Sequence, residues 1–78
     1  MVYRILGKLK WGNMLGRADV VIVHRGGPGD RKTIPGREIT EVSKGRFVYV
    51  NILGEETSIP FHRVLEVRLD GKQIWKRK

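Results

Sequence analysis

The chain has no cysteine, three prolines and only two histidines in 78 residues. Without cysteine there is neither a disulfide nor a thiolate metal site, and that lack fits a reducing, cytoplasmic setting. His24 and His62 stand in no recognisable ligand spacing, so no metal and no cofactor is expected. Acidic residues are also scarce: eight Asp and Glu face sixteen Lys and Arg, a formal net charge of +8. Such a surface attracts polyanions, with nucleic acid the first candidate, an anionic membrane face the second, and simple solubilising charge the third. Long apolar runs are missing too. No stretch approaches the roughly 20 residues that span a bilayer, and the first residues lack the apolar core of a secretory signal, so no membrane partner is expected. This length fits a single domain over residues 1–78, near the lower size at which one core folds unaided.

Glycine, by contrast, is plentiful, and the stretch His24 to Lys32 (His-Arg-Gly-Gly-Pro-Gly-Asp-Arg-Lys) concentrates it. Glycine permits positive φ and close backbone approach, so the Gly26, Gly27 and Gly29 region can turn amides toward an oxyanion while Arg25, Arg31 and Lys32 supply charge. A plain solvated turn is the competing reading. The stretch also resembles a nucleotide-binding P-loop, with Arg31 in place of the final glycine. That possibility fails, because Pro35-Gly36 forbids the helix that must follow and the chain is too short for the parallel sheet.

Along the chain, Val2, Ile5, Leu6 and Leu9 fall at i, i+3, i+4 and i+7, the apolar stripe of an amphipathic helix, with Arg4, Lys8 and Trp11 on its other side. Trp11 sits where that helix ends at Gly12-Asn13, and the burial preference of tryptophan favours its folding back onto the core over a stacking role among bases. Ala18 to Arg25 reads as a strand whose run Val20-Val21-Ile22-Val23 is covered on both faces. Ile34-Pro35-Gly36 reads as a turn, Glu38 to Val42 as a short strand, and Arg46 to Leu53 as a strand rich in aromatic and β-branched residues. Thr57-Ser58-Ile59 leads into a break at Pro60-Phe61-His62. From Val64 the alternation of Leu65, Val67 and Leu69 with charged residues, then Asp70-Gly71, predicts a closing hairpin. With a two-residue turn Val67 faces Ile74 and Trp75 points outward; a bulge sends Trp75 inward, and both registers stay open. The expected fold is α+β: an N-terminal helix and about five short antiparallel strands in a curled, SH3-like or Sm-like open barrel, with no internal repeat.

Two His-Arg dipeptides carry the chemistry. His24-Arg25 precedes the glycine loop and His62-Arg63 lies in the proline-marked turn, so the two could share a cleft. Arginine offers a planar fork to phosphate, and histidine donates to its oxygens or relays a proton. If the protein is an enzyme, His24 and His62 are the acid and base of a metal-independent RNA phosphodiesterase or ribonuclease. A binding module is the favoured reading.

The segments Leu9-Lys10-Trp11, Val23 to Asp30, Ile34-Pro35-Gly36, Ile59 to Val64 and Gly71 to Trp75 together resemble a small, mainly archaeal family proposed as an RNA cyclic-group end recognition domain. The resemblance covers nearly the whole chain, although Gly27 stands where the family often has alanine. It implies a module that binds a terminal, cyclic phosphate of processed RNA at a 3′ end or single-stranded segment. On that reading the phosphate rests on the 26–29 amides with Arg25, Arg31 and Arg63 around it, and His24 and His62 donate to its oxygens. Asp30 braces the loop, while Lys10, Trp11, Trp75 and the basic tail Lys76-Arg77-Lys78 extend the contact by stacking and charge.

Overall fold

A computed structural model describes residues 2–77. The helix α1 runs from Val2–Trp11 and buries Val2, Leu6 and Leu9, with Ile5 packed beside them, as the apolar spacing predicts. It stops where Asn13 takes a positive φ of 56°, which lets Met14 N–H donate back to Leu9 O at 2.8 Å. A left-handed residue just past the last turn is a common way to satisfy orphan helix carbonyls.

Seven strands follow, not five: β1 Ala18–Val23, β2 Arg31–Pro35, β3 Ile39–Val42, β4 Arg46–Val50, β5 Glu56–Pro60, β6 Val64–Leu69 and β7 Lys72–Lys76. They form two antiparallel sheets, ordered β2-β1-β6-β7 and β3-β4-β5. The α+β class agrees with the sequence reading. The strands fall into two sheets, neither of them closed, where the sequence reading expected one sheet curled into an SH3-like or Sm-like open barrel. One element was hidden because Pro35 ends β2 instead of interrupting a loop; an edge strand tolerates proline there, having no ladder partner on that side. The core lies between the sheets and under α1, with Phe47, Leu6, Ile22, Ile34, Val20, Val64 and Val67 fully buried.

The chain passes between sheets twice, each time through a proline and a 3₁₀ turn: Pro35 into Gly36–Glu38, and Pro60 into Phe61–Arg63. The backbone is nearly the same at both corners. Pro35 and Pro60 have φ, ψ of −61°, 133° and −67°, 145°, and the residues that leave, Ile39 and Val64, have −78°, 119° and −76°, 126°. The likeness extends to the ladders. Val20↔Ile34 in the first hairpin corresponds to Phe47↔Ile59 in the second. Ile22↔Val64, Val21↔Glu66 and Val20↔Val67 correspond to Tyr49↔Ile39, Val48↔Glu41 and Phe47↔Val42, with a register shift at the same step. An internal repeat is therefore present, and the sequence carries its trace: Ile34-Pro35 and Glu41-Val42 match Ile59-Pro60 and Glu66-Val67. Strands judged one at a time conceal it.

The closing hairpin combines both registers left open above. Asp70 and Gly71 have φ of 52° and 82°, the double-positive pattern of a two-residue turn, and Leu69 pairs with Lys72. A bulge further along then sets Arg68 against Gln73 and Val67 against Trp75, which skips Ile74. Trp75 consequently packs against the core while Ile74 is exposed. Arg17 clasps the turn through a two-point ion pair to the Asp70 carboxylate, and Asp70 N–H donates to Arg17 O.

On the outer face of the four-stranded sheet, Glu66 accepts from Arg68 Nε at 2.7 Å and from Gln73 Nε2 at 2.9 Å. These bonds, the one from Arg68 foremost, hold its carboxyl below the usual range, and Asp70 is lowered in the same way by Arg17. A carboxyl depressed in the folded state contributes stability that is full above its unfolded value and lost as pH falls through its folded value. Denaturant titrations of wild type and Glu66→Gln are expected to differ most at neutral pH and to approach each other progressively as pH falls below the ordinary carboxyl value of about 4.

Candidate functional site

The ladder between β1 and β6 runs to Ile22↔Val64. One step beyond, Arg63 Nη2 donates to Val23 O at 2.8 Å. His24-Arg25 follows Val23 directly and His62 precedes Arg63 directly, so the two dipeptides leave the same end of one sheet side by side. His24, Arg25 and His62 are exposed and Arg63 is half-buried. The corner Phe61–Arg63 is held in turn by Phe61 N–H donating to Gly45 O at 3.1 Å. Its Phe61 ring stacks on Phe47 in the core at 6.3 Å and meets Tyr3 of α1 at 5.9 Å between centroids.

The glycine loop is shaped mostly by itself. His24 N–H donates to Asp30 O, Gly27 N–H to His24 O and Asp30 N–H to Gly27 O, while Gly26, Gly29 and Asp30 have positive φ of 87°, 63° and 55°. This changes the anion-binding expectation. Of the 26–29 amides, that of Gly27 is already spent inside the loop and Pro28 has none to offer. Asp30 braces the loop through its backbone groups. A Cβ on Gly27 would come within 2.9 Å of His24 Cδ2 and 3.1 Å of Arg31 O, so glycine here leaves room for the imidazole to lie against the loop. Alanine at this position requires the ring to turn away.

The remaining expected site residues divide. Arg31 stands at the loop's base, opposite Val23, but lines a separate hollow with Leu65, Glu66, Lys76 and Arg77. Lys32 is exposed but engaged, with Nζ 3.2 Å from Tyr49 Oη and 5.4 Å from the centre of its ring. Trp75 is half-buried against the core, and Lys78 lies outside the described residues. Trp11 overturns the core-packing expectation: it is 91% exposed. The helical wheel, which set it opposite the apolar stripe, outweighed the burial preference of its residue type. Lys10 is exposed beside it. Both line a groove of about 370 Å³ with Tyr3, Gly7 and Val42. Tyr3, Gly7 and Phe61 escaped the sequence reading, although Tyr3, Gly7 and Trp11 stand at i, i+4 and i+8 of one helix face.

Among the described residues, no three His, Asp or Glu side chains gather where they could hold a metal ion, and no helix is long and apolar enough to cross a membrane.

Comparison with known proteins agrees with the resemblance noted from the motifs. A UPF0248 protein of Thermococcus kodakarensis is 42% identical over 80 aligned positions, spanning 99% of this chain and 91% of its own length. A UPF0248 protein of Thermococcus sibiricus is 39% identical, covering 99% of this chain and 85% of its own, and one of Methanococcus maripaludis is 33% identical across the full length of both. No solved structure gives a significant match. The model of one family matches residues 1–77, and with that coverage the chain belongs to the MJ1316 RNA cyclic group end recognition domain family.

Proposed function

We propose that this protein binds RNA at a 3′ end, with a terminal 2′,3′-cyclic phosphate held between His24-Arg25 and His62-Arg63. The family's description supports RNA-end recognition as the class of function. The observation that carries the finer reading is the Arg63 Nη2 bond to Val23 O, which sets the two dipeptides at one sheet end. Arg25 and Arg63 supply the charge-assisted donors, and His24 and His62 add ring N–H donors to the phosphate oxygens. Gly26 and Gly29 keep the loop low enough for the phosphate to approach, with Asp30 fixing its far end through backbone bonds. The net charge of +8 attracts the rest of the strand through its phosphates, a contribution that weakens as salt rises. Arg31, Lys76 and Arg77 act at this longer range, from the outer sheet face.

Titration with one RNA sequence bearing a cyclic phosphate, a linear 3′-phosphate or a 3′-hydroxyl, at two salt concentrations, tests the proposal. The cyclic end is expected to bind tightest, and its margin over the hydroxyl end is expected to outlast the loss of overall affinity at higher salt. Equal affinity for all three ends overturns end recognition.

A further inference from the structure

We propose that the groove along α1 is a nucleobase subsite: one base of the RNA strand lies over Gly7, stacked on Trp11, with Lys10 on the phosphate of the same nucleotide. The proposal rests on the RNA reading given above. Four observations carry it.

Trp11 exposes 91% of its surface, an unusual state for the largest apolar side chain, and it does so as the last residue of α1. Tyr3, Gly7 and Trp11 share one face at i, i+4 and i+8, so an aromatic ring stands at each end and a gap lies between them. That gap is a glycine in the middle of a helix, where only proline is a poorer choice. The fold gives no reason for it. A Cβ built on Gly7 meets nothing within 4 Å, so the position is neither a close approach nor a strained turn. Its effect is to keep the groove open, and the resulting space of about 370 Å³ falls within the range of small-ligand sites.

Charge and position point to nucleic acid as the occupant. α1 carries Arg4, Lys8 and Lys10 and no acidic residue. The groove also lies near the proposed end-binding cluster, since the ring of Tyr3, which lines it, is 5.9 Å from that of Phe61, the residue before His62. At about 1.5 Å per residue, Tyr3 and Trp11 are roughly 12 Å apart along the axis. A strand anchored by its terminal phosphate at His62-Arg63 therefore runs along α1 and offers an upstream base to Trp11. Unstacked bases on aromatic side chains are the usual way single-stranded RNA is held.

The test measures binding of a short oligouridylate and of an oligomer of the same length with abasic sugars, each made with cyclic and hydroxyl ends. Trp11→Ala is expected to lower affinity for the base-bearing RNA about 5- to 150-fold and to leave abasic RNA unaffected. Gly7→Leu, which fills the groove with a strong helix former, is expected to do the same while raising the melting temperature. Both variants are expected to keep the wild-type ratio between cyclic and hydroxyl ends, because the phosphate cluster is untouched. Undiminished binding of oligouridylate by both variants overturns the subsite, whatever the end preference. Loss of binding in both variants, in a protein that never distinguished the ends, supports the subsite and overturns end recognition alone.

Discussion

Gly36→Ala is expected to destabilise the protein by about 3 kcal/mol or more, at or beyond the upper end of ordinary overpacking. Gly36 opens the first corner and is buried. A Cβ there would stand 1.9 Å from Leu15 O and 2.9 Å from Ala18 O, both backbone atoms, so no side chain can rotate to relieve the clash. The chain between α1 and β1 would have to lift away, uncovering Leu15 and Ala18, which are buried in the core. A domain of this size has only about 5–15 kcal/mol to lose, so a large unfolded fraction is expected at 37 °C. Urea denaturation measures the effect, with Gly7→Ala as the opposite control. That substitution enters open space on a helix and is expected to raise stability by about 1 kcal/mol. A Gly36→Ala protein as stable as wild type would show that the corner and the Leu15 turn are not in backbone contact.

The second large effect concerns the paired dipeptides. His24→Ala with His62→Ala is expected to remove about 10- to 150-fold of the preference for a cyclic phosphate end for each charge-assisted hydrogen bond lost, while binding of hydroxyl-ended RNA changes little. Both side chains are exposed, so the fold is expected to survive, and denaturation midpoints verify that. Arg63→Lys is the complementary variant. It keeps the charge but cannot hold Val23 O and a phosphate in one planar fork, so it is expected to lose end preference with the histidines intact. The same titration distinguishes binding from acid–base chemistry. If wild type hydrolyses the cyclic ester, water adds at phosphorus, one P–O bond to the ribose opens, and a linear phosphate accumulates that the double variant does not form. Recovery of unchanged cyclic ends favours the binding module. A double variant with the wild-type preference would remove both histidines from the site.

Much of this architecture is legible in the amino-acid pattern. The stripe of Val2, Ile5, Leu6 and Leu9 specifies α1, and the Asp70-Gly71 turn specifies the last hairpin, because both depend on neighbours in sequence. What escaped depends on partners elsewhere. The bulge that skips Ile74 has no local signature, since Trp75 turns inward to meet a core built by other strands. Pro35 reads as an interruption until β2 is known to be an edge. The amides of the glycine loop look available until the bonds of Gly27 to His24 O and of His24 to Asp30 O are seen. For the candidate site, residue chemistry singled out the two His-Arg pairs for the proposal, and their nearness at one sheet end is visible only in the β1–β6 ladder and the Arg63 bond to Val23 O. Trp11 shows the reverse error, a position readable from the helical wheel and misjudged from residue type.

The twin corners have a consequence for engineering. One backbone device occurs twice, and the two corners differ in what they display: Arg37-Glu38 at the first, His62-Arg63 at the second. The loops facing them are closed alike, by His24 N–H to Asp30 O and by Asn51 N–H to Glu55 O at 3.0 Å. Yet one presents glycines and cations while the other presents Ile52, 96% exposed, and Leu53. Proline, the 3₁₀ turn and the shifted ladder thus recur at both corners, while the two residues after Gly36 or Phe61 differ, and Arg63 of the second pair also ties its corner to the sheet through Val23 O. The first corner is therefore a scaffold of the same backbone geometry, onto which a His-Arg pair can be grafted without redesigning the core.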